Sequence, residues 1–360
     1  MLKINQFVII LVFMTLVYLG AWMLIKHSTG ETSNAVESSG EEAKTMNTEG
    51  QNEPGSSLQD GIGLLSEGFD RNASRGVRNG RTPYAYGVFI DDPGDLPKQL
   101  ETRVKTECRS GVLVDLGSRR ILWKKDATVP YAIASMSKIM TAFELMCEIQ
   151  TEGSKVTLET TVKVPQKMYK KFSDSHIYMD PRESFTIDEL LKCMMIRSAN
   201  DCAYLLGEFM GGSEAAFVEK MNARAKILGL KSLDFCNTNG LPDKKNNRSN
   251  KGSALDMAYL AEYVMDVPEI MKWAGTKRDA IRENTTRKFD LFNRNSLLGS
   301  TKCPGINGLK TGFINESKYC IIVTCERNGR RMICVVMGAD TAKKRDNLAV
   351  ALLNWGYSIE

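Results

Sequence analysis

Histidine is scarce in this sequence: its 360 residues include two, His27 and His176. His27 follows a long apolar run, and His176 stands in the stretch DSHIYMD without a recognisable catalytic motif beside it. A Ser-His-Asp site would have to depend on His176, so this class of hydrolase is disfavoured. If the chain is an enzyme with a nucleophile, a group other than histidine is the natural candidate to activate it.

Paired cysteine motifs are also missing. The nine cysteines are an odd number, and none of them forms a C-x-x-C pair. Four lie in apolar segments, where a free cysteine behaves as a small hydrophobic residue: Cys193, Cys202, Cys320 and Cys334. We therefore predict no metal site and no cofactor, and the spacing indicates no disulfide framework.

One long hydrophobic run stands near the N-terminus, from Phe7 to Ile25, between Lys3 and Lys26. A helix of this length spans about 28 Å, close to the hydrocarbon thickness of a bilayer. We predict that residues 1–27 form a single-pass membrane anchor that leaves a catalytic domain outside the cytoplasm. The alternative is a signal sequence whose cleavage would release a secreted protein.

A polar, acidic stretch follows the apolar run. Residues 28 to about 60 contain almost no large apolar side chains, so they cannot bury enough surface to offset the entropy of ordering. We predict a flexible stalk and linker over residues 28–97 and a folded domain over residues 98–360. No nucleic-acid partner is predicted.

The remaining sequence mixes strand and helix signals. GVLVDLGSRRILWKK predicts two short strands, and YCIIVTCERNGRRMICVVMG predicts a hairpin that turns at Asn328-Gly329. Between them, Thr186 and Glu189 have the spacing of a capping box ahead of an apolar helix. Strands at both ends of the domain with helices between them predict an α+β fold, in which distant segments build one antiparallel sheet beside a helical lobe.

The stretch ASMSKIMTAFELM places Ser135 and Lys138 three residues apart at the head of an apolar helix. Residues with this spacing lie on the same helical face, so the amine can reach the hydroxyl. An apolar stripe would desolvate the lysine and favour its neutral form, which can act as a base: Met136, Ile139, Met140, Phe143 and Met146. Alone, the S-x-x-K pattern is also compatible with a helix cap and an incidental surface lysine.

Two further patterns occur once each, in the order S-x-x-K, S-x-N, K-T-G. Ser198-Ala199-Asn200 forms the second, and Lys310-Thr311-Gly312 forms the third. This set marks penicillin-binding proteins and class A β-lactamases. Residues 98 to 358 resemble the low-molecular-mass penicillin-binding proteins, the serine-type D-alanyl-D-alanine carboxypeptidases of peptidase family S11. The resemblance implies an antiparallel sheet with helices on both faces and a site between the sheet and the helical lobe.

The resemblance also implies a role for each matching residue. Ser135 would attack the peptide bond between two D-alanines, Lys138 would accept its proton, and Ser198 would pass a proton to the leaving amine. Asn200 would hold the substrate backbone or the lysine. The implied partners are peptidoglycan stem peptides, with β-lactam antibiotics as covalent inhibitors.

The same resemblance assigns the recognition of substrate to the later motifs. Lys310 and Thr311 would attract the substrate carboxylate, and Gly312 would let the substrate backbone approach the strand edge. The N–H groups of Ser135 and Phe313 would form the oxyanion hole. An arginine that matches the family's closing segment, Arg345, would approach the substrate carboxylate. The alternative is a solvated charge beside its basic neighbours.

Two alternatives use the same scaffold. A β-lactamase would need a glutamate in an E-x-x-L-N element between Asn200 and Lys310, and none is present there. A penicillin-binding sensor would keep acylation and lose turnover. The chain departs from the family where Asn239 stands in place of a frequent histidine, in a loop that continues into a longer stretch, and substrate preference could differ as a result.

Overall fold

The computed structural model describes residues 88–168, 171–172 and 174–359. The predicted anchor and most of the predicted linker lie outside the described residues. Strands occupy Ile90–Asp91 (β1), Ser110–Asp115 (β2), Arg120–Lys125 (β3), Tyr131–Ala132 (β4), Thr161–Lys163 (β5), Ser184–Thr186 (β6), Lys251–Gly252 (β7), Arg278–Ile281 (β8), Phe289–Phe292 (β9), Ile306–Ile314 (β10), Lys318–Arg327 (β11) and Arg330–Ala339 (β12).

Helices fill the intervals between the strands. They occupy Lys98–Glu107 (α1), Lys138–Gln150 (α2), Ile187–Ile196 (α3), Asn200–Gly211 (α4), Glu214–Ile227 (α5), Ala254–Met265 (α6), Pro268–Gly275 (α7) and Ala342–Ser358 (α8), with short 3₁₀ turns at Ala134–Ser137 and Gln166–Met168. In the described part of the chain, no helix combines the length and the apolar character needed to cross a membrane.

The main sheet has six strands in the order β1-β3-β2-β12-β11-β10. Every pairing in it is antiparallel except that of β1 with β3, which is parallel. Strand β1 at residues 90–91 therefore belongs to the sheet although it precedes residue 98, where the folded domain was predicted to begin. The predicted hairpin is confirmed: β11 and β12 turn at Asn328 and Gly329, which have φ of 51° and 79°. A turn that accepts positive φ at both residues matches the twist of the strands.

Both faces of the sheet are covered. Along β2, Val112 and Val114 point into one apolar core with the helical lobe, whereas Leu113 points into a second core with α1 and α8. This alternation explains why β2 reads as a continuous hydrophobic run in the sequence. Strand β10, which carries the K-T-G pattern, forms one edge of the sheet, next to the helical lobe.

The predicted helix signals are also confirmed. The Thr186 hydroxyl accepts the Glu189 N–H, and the Glu189 side chain returns to the Thr186 N–H, so α3 begins with a complete capping box. Helix α2 is buried over its first ten residues. An amphipathic helix buries one face, whereas this part of α2 is buried on all sides, so α2 is the central helix of the lobe.

Candidate active site

Ser135 lies in the 3₁₀ turn that leads into α2, rather than in the first turn of the α-helix itself. Its neighbour Ala134 has φ of 48°, and the Ser137 hydroxyl donates to the Ala134 carbonyl oxygen at 2.7 Å. Ser135 remains partly exposed, while Lys138 at the start of α2 is fully buried. The turn therefore leaves Ser135 partly exposed and keeps the Lys138 amine buried within hydrogen-bond distance of its hydroxyl. We call the region bounded by this turn, the loop of Asn200 and strand β10 the cleft.

Two glycines let neighbouring segments approach this turn. A Cβ on Gly240, which has φ of 84°, would lie 2.0 Å from the Ala134 carbonyl oxygen. A Cβ on Gly312 would lie 2.8 Å from the Ile133 carbonyl oxygen. The structure thus gives Gly312 a packing role, since its missing side chain lets β10 come close to Ser135. Its predicted role in the approach of substrate stays a prediction.

Lys138 is the centre of the site. Its Nζ lies 3.0 Å from the Ser135 Oγ and donates to the Asn200 Oδ1 at 2.7 Å, and it also donates to the Asn239 carbonyl oxygen. The amine therefore contacts two of the predicted motifs at once. No carboxylate of the described residues forms an ion pair with it.

The surroundings of Lys138 favour its neutral form. Burial lowers the pKa of Lys138 well below its ordinary value, and the charge of Lys310 lowers it further. A neutral amine 3.0 Å from a hydroxyl can accept a proton from it. The Lys138 amine therefore has the position and the environment that its predicted role as the base requires.

The loop between α3 and α4 carries the second motif. Asn200 is fixed from three sides, since its Nδ2 donates to the Asp174 carbonyl oxygen at 2.7 Å, its N–H donates to the Ser175 carbonyl oxygen at 2.7 Å, and its Oδ1 accepts from Lys138. Ser198 is buried and has φ of 64°, a left-handed conformation that is unfavourable for a serine. Ser198 precedes Asn200 by two residues, and its predicted role in proton transfer stays a prediction.

Strand β10 carries the third motif. Lys310 is fully buried, and its Nζ donates to the Thr311 carbonyl oxygen at 3.2 Å. Burial lowers the pKa of Lys310 to about 7, with further lowering by Arg294 and then Arg345. The cleft therefore holds two buried lysines whose charges oppose each other, and a bound anion would stabilise the protonated form of Lys310.

Arg345 lies beside this group rather than in solvent. It is 5% exposed and has its guanidinium on the Asp346 carboxylate, with Nε and Nη2 at 2.7 Å and 2.6 Å from Oδ1. Its Nη1 lies 3.5 Å from the Cys320 carbonyl oxygen. The neighbouring Lys343 is exposed. Arg345 is thus buried, whereas its basic neighbours are exposed. Its role in binding the substrate stays a prediction.

Thr311 and Phe313 continue β10 past the nucleophile. Thr311 is 8% exposed, whereas Phe313 is 47% exposed and packs its ring 4.4 Å from the ring of Tyr319. The close contact of Gly312 with the turn at 133–134 brings the segment of Phe313 beside that of Ser135. The two predicted oxyanion donors therefore belong to adjoining segments.

Two further groups around the lysines were not predicted from the sequence. Asn239 drew attention as a substituted position, but its contribution here is a main-chain carbonyl, which any residue could supply. Arg294 acts on Lys310 from the loop after β9, and its position in a short FNRNSLL stretch gave no chemical signal of this role. Contacts of both kinds depend on tertiary proximity, which spacing along the chain does not reveal.

Comparisons with known proteins agree with this geometry. The model of the peptidase S11 family, described as D-alanyl-D-alanine carboxypeptidase, matches residues 98–341. A D-alanyl-D-alanine carboxypeptidase of Bacillus subtilis, DacF, is 37% identical over 275 residues, which cover 76% of this chain and 67% of the relative. DacC of Escherichia coli is 30% identical over 257 residues, 70% of this chain and 61% of the relative.

Solved structures share the fold. Penicillin-binding protein D2 of Listeria monocytogenes, in its ampicillin-bound form, is 28% identical with a TM-score of 0.61, covering 69% of this chain and 97% of that one. A cysteine-to-alanine mutant of the Streptomyces K15 DD-transpeptidase is 25% identical with a TM-score of 0.63, covering 70% and 98%. The predicted fold and the resemblance read from the motifs are both confirmed.

Proposed function

Because the chain belongs to the D-alanyl-D-alanine carboxypeptidase family, peptidase S11, we propose that it removes the terminal D-alanine from peptidoglycan stem pentapeptides. The observation that carries the proposal is the fully buried amine of Lys138, 3.0 Å from the Ser135 Oγ. This arrangement generates a serine nucleophile without a histidine.

In the proposed reaction, each matching residue takes the role that the family resemblance implies. Ser135 attacks the carbonyl between the two D-alanines as Lys138 takes its proton, and the N–H groups of Ser135 and Phe313 stabilise the oxyanion. Ser198 relays a proton to the departing amine, which leaves as D-alanine. Water then hydrolyses the acyl-enzyme, and Lys138 again serves as the base.

Recognition of the substrate would come from β10. Lys310 and Thr311 receive the terminal carboxylate, with Arg345 behind them, and the buried lysine gains a counter-charge when the substrate binds. A β-lactam mimics the peptide and carries its own carboxylate, so penicillin would acylate Ser135 as well.

The test measures D-alanine release from a peptide that ends in D-Ala-D-Ala, together with covalent labelling by penicillin. The unaltered protein should release D-alanine and form a penicillin adduct, and Ser135→Ala should do neither while remaining folded. Ser135 makes no capping hydrogen bond in its turn, so its loss costs less than the ~1 kcal/mol typical of a cap.

The alternatives give different results in the same test. Rapid hydrolysis of penicillin without D-alanine release would indicate a β-lactamase. A stable adduct with no turnover of either substrate would indicate a sensor. A penicillin adduct on Ser135→Ala would overturn the assignment of the nucleophile.

The location of the protein belongs to the same proposal. The apolar run from Phe7 to Ile25 supports a single-pass anchor with the catalytic domain outside the cytoplasm. We expect the mature protein to keep Met1 and to sediment with membranes. A mature N-terminus between Ser28 and Val36, mapped by mass spectrometry, would show a cleaved signal sequence instead.

A further inference from the structure

An exposed aromatic side chain and a half-buried one lie side by side on strands β10 and β11. Phe313 is 47% exposed, and the centre of its ring lies 4.4 Å from that of Tyr319. The two residues are direct partners in the antiparallel pairing of the strands, so their side chains share one face of the sheet. A single exposed phenylalanine is ordinary, and it is the position of this pair that indicates a use.

The pair lies next to the turn that carries the nucleophile. A Cβ on Gly312 would lie 2.8 Å from the Ile133 carbonyl oxygen, so the side-chain direction at Gly312 points to the turn that contains Ser135. Successive residues of a strand point to opposite faces, so Phe313 points the other way, on the same face as Thr311. The Phe313 ring is therefore one residue from the contact with this turn and is not used to pack against it.

Strand β10 is the last strand of the main sheet in the part of the chain that the structure describes. Its inner side pairs with β11, and no strand of that sheet pairs with its outer side. The N–H and C=O groups on the outer side of an edge strand can pair with an extended peptide as they would with a further strand. A substrate can therefore be positioned residue by residue along β10.

The proposed reaction gives the bound peptide a direction along β10. Its terminal carboxylate lies at Lys310 and Thr311, and the carbonyl under attack lies at the Phe313 N–H. The peptide is thus antiparallel to β10. Paired strands advance by about 3.3 Å per residue in both chains, so a terminal residue opposite Thr311 puts the third residue from the C-terminus opposite Phe313. Opposite residues of an antiparallel pair have their Cβ atoms about 5 Å apart, within reach of an aromatic ring.

We propose that Phe313 and Tyr319 form a subsite for the side chain of the residue that precedes the D-Ala-D-Ala terminus. This inference rests on the proposed carboxypeptidase activity and names its substrate class, stem peptides in which that residue carries a long aliphatic side chain. The aliphatic chain lies across the two rings and removes apolar surface from water. The ring of Phe313 determines the specificity, whereas its N–H is present whichever side chain the residue carries.

The test compares two peptides of equal charge, one ending in L-norleucine-D-Ala-D-Ala and the other in L-Ala-D-Ala-D-Ala. The unaltered enzyme should release D-alanine from the norleucine peptide with a kcat/KM roughly tenfold higher, the effect of burying about two methylene groups. Phe313→Ala keeps the N–H and should bring the two values to within about twofold. Phe292→Ala is the matched control, because Phe292 on β9 is 48% exposed, and it should keep the preference.

Several results would overturn the subsite while the activity stands. One is that the unaltered enzyme releases D-alanine from both peptides equally well. Another is that Phe313→Ala lowers kcat/KM for both peptides by the same factor, which would give the ring a structural role. A preference that Phe292→Ala abolishes as well would reflect a general effect of exposed aromatic residues.

A second measurement tests the subsite if the protein releases no D-alanine at all, in which case the proposed function fails. The amide-linked side chain of a penicillin takes the place of the preceding residue, so acylation by a penicillin with a phenylacetyl side chain is compared with acylation by one with an acetyl side chain. The unaltered protein should react faster with the phenylacetyl compound, and Phe313→Ala should lose this difference. Equal rates with the unaltered protein would disprove the subsite.

Discussion

Buried charges occur in two regions of this molecule, and they are treated in opposite ways. In the helical lobe, Arg224 of α5 donates to Glu144 of α2 at 2.7 Å, and both side chains are less than 5% exposed. Arg119, in the turn between β2 and β3, forms a similar ion pair with Glu262 of α6. In the cleft, Lys138 and Lys310 are fully buried, and neither forms an ion pair with a carboxylate of the described residues.

The difference teaches what each region is for. A buried charge that has a partner recovers part of its lost hydration, so the Arg224–Glu144 pair can join two helices, although burial still raises the pKa of Glu144 to about 7. A buried amine without a partner loses its proton more readily, which costs stability and creates a base. We therefore infer that the charges of the lobe stabilise the fold and propose that those of the cleft act on the substrate.

The first prediction tests the cleft. Lys138→Met should lower the rate of penicillin acylation by roughly 10²- to 10⁴-fold, since the base for Ser135 is removed. The free energy of unfolding should stay equal or increase, because a buried amine is replaced by an apolar chain of similar length. Acylation kinetics and thermal unfolding measure the two effects.

A large loss of stability in that variant would break the comparison. It would mean that the hydrogen bonds of Lys138 to Asn200 and Asn239 hold the lobe together. Unchanged acylation would instead remove Lys138 from the reaction.

The second prediction tests the lobe. Arg224→Met leaves Glu144 buried without its partner, and should lower the free energy of unfolding by ~3–5 kcal/mol. The fraction that remains folded should be acylated by penicillin at the rate of the unaltered protein. Denaturant unfolding and labelling in the absence of denaturant give the two values. The double variant Arg224→Met/Glu144→Leu should recover much of the loss, and a double variant as unstable as the single one would contradict the pairing argument.

Sequence patterns were sufficient to identify the family because its motifs depend on local spacing. Ser135 and Lys138 are three residues apart, and the capping box of α3 spans four residues, so each can be recognised without knowledge of the fold. The hairpin turn at Asn328-Gly329 is local in the same sense. Such features are confirmed because short-range geometry is nearly independent of the rest of the chain.

Contacts that depend on the folded chain could not be predicted in the same way. The Asn239 carbonyl lies 101 residues from Lys138 and carries no side-chain signature. Gly312 was predicted to admit the substrate backbone, and the structure adds a contact that the sequence did not reveal, the close approach of the Ile133 carbonyl oxygen. Arg345 belongs to a basic run, and only its burial separates it from Lys343.

The third prediction concerns Arg345, which shares features with the buried charges of both regions. It is buried and paired with Asp346, as in the lobe, yet its charge acts on Lys310 in the cleft. If it supports the substrate carboxylate, Arg345→Ala should lower kcat/KM for D-alanine release by roughly 30- to 1,000-fold. Lys343→Ala is the control and should have little effect, since that side chain is exposed. If both variants lose little kcat/KM and lose it equally, Arg345 has a structural role like that of Arg224 in the lobe.

The last and smallest effect is a pH dependence. Because burial and two arginines lower the pKa of Lys310 to about 7, this lysine loses its proton in the free enzyme as the pH rises through 7. Only the protonated form attracts a carboxylate. We therefore expect kcat/KM, which reports on the free enzyme, to fall above pH 7 by up to about tenfold per pH unit.

A matched substrate separates this effect from a titration of the base. Burial and the charge of Lys310 lower the pKa of Lys138, and a rise in pH favours the neutral amine, so the titration of this base would raise the rate and not lower it. The fall above pH 7 should therefore be pronounced for peptides with a free terminal carboxylate and weak for peptides whose terminal carboxylate is amidated. An equal fall of kcat/KM for both peptides would show that the titrating group acts in the chemical step. Recognition of the terminal carboxylate by protonated Lys310 would then not explain the pH dependence. If kcat/KM does not change with pH for either peptide, Lys310 keeps its proton despite burial. The cleft would then stabilise a buried charge as effectively as the ion pairs of the lobe do.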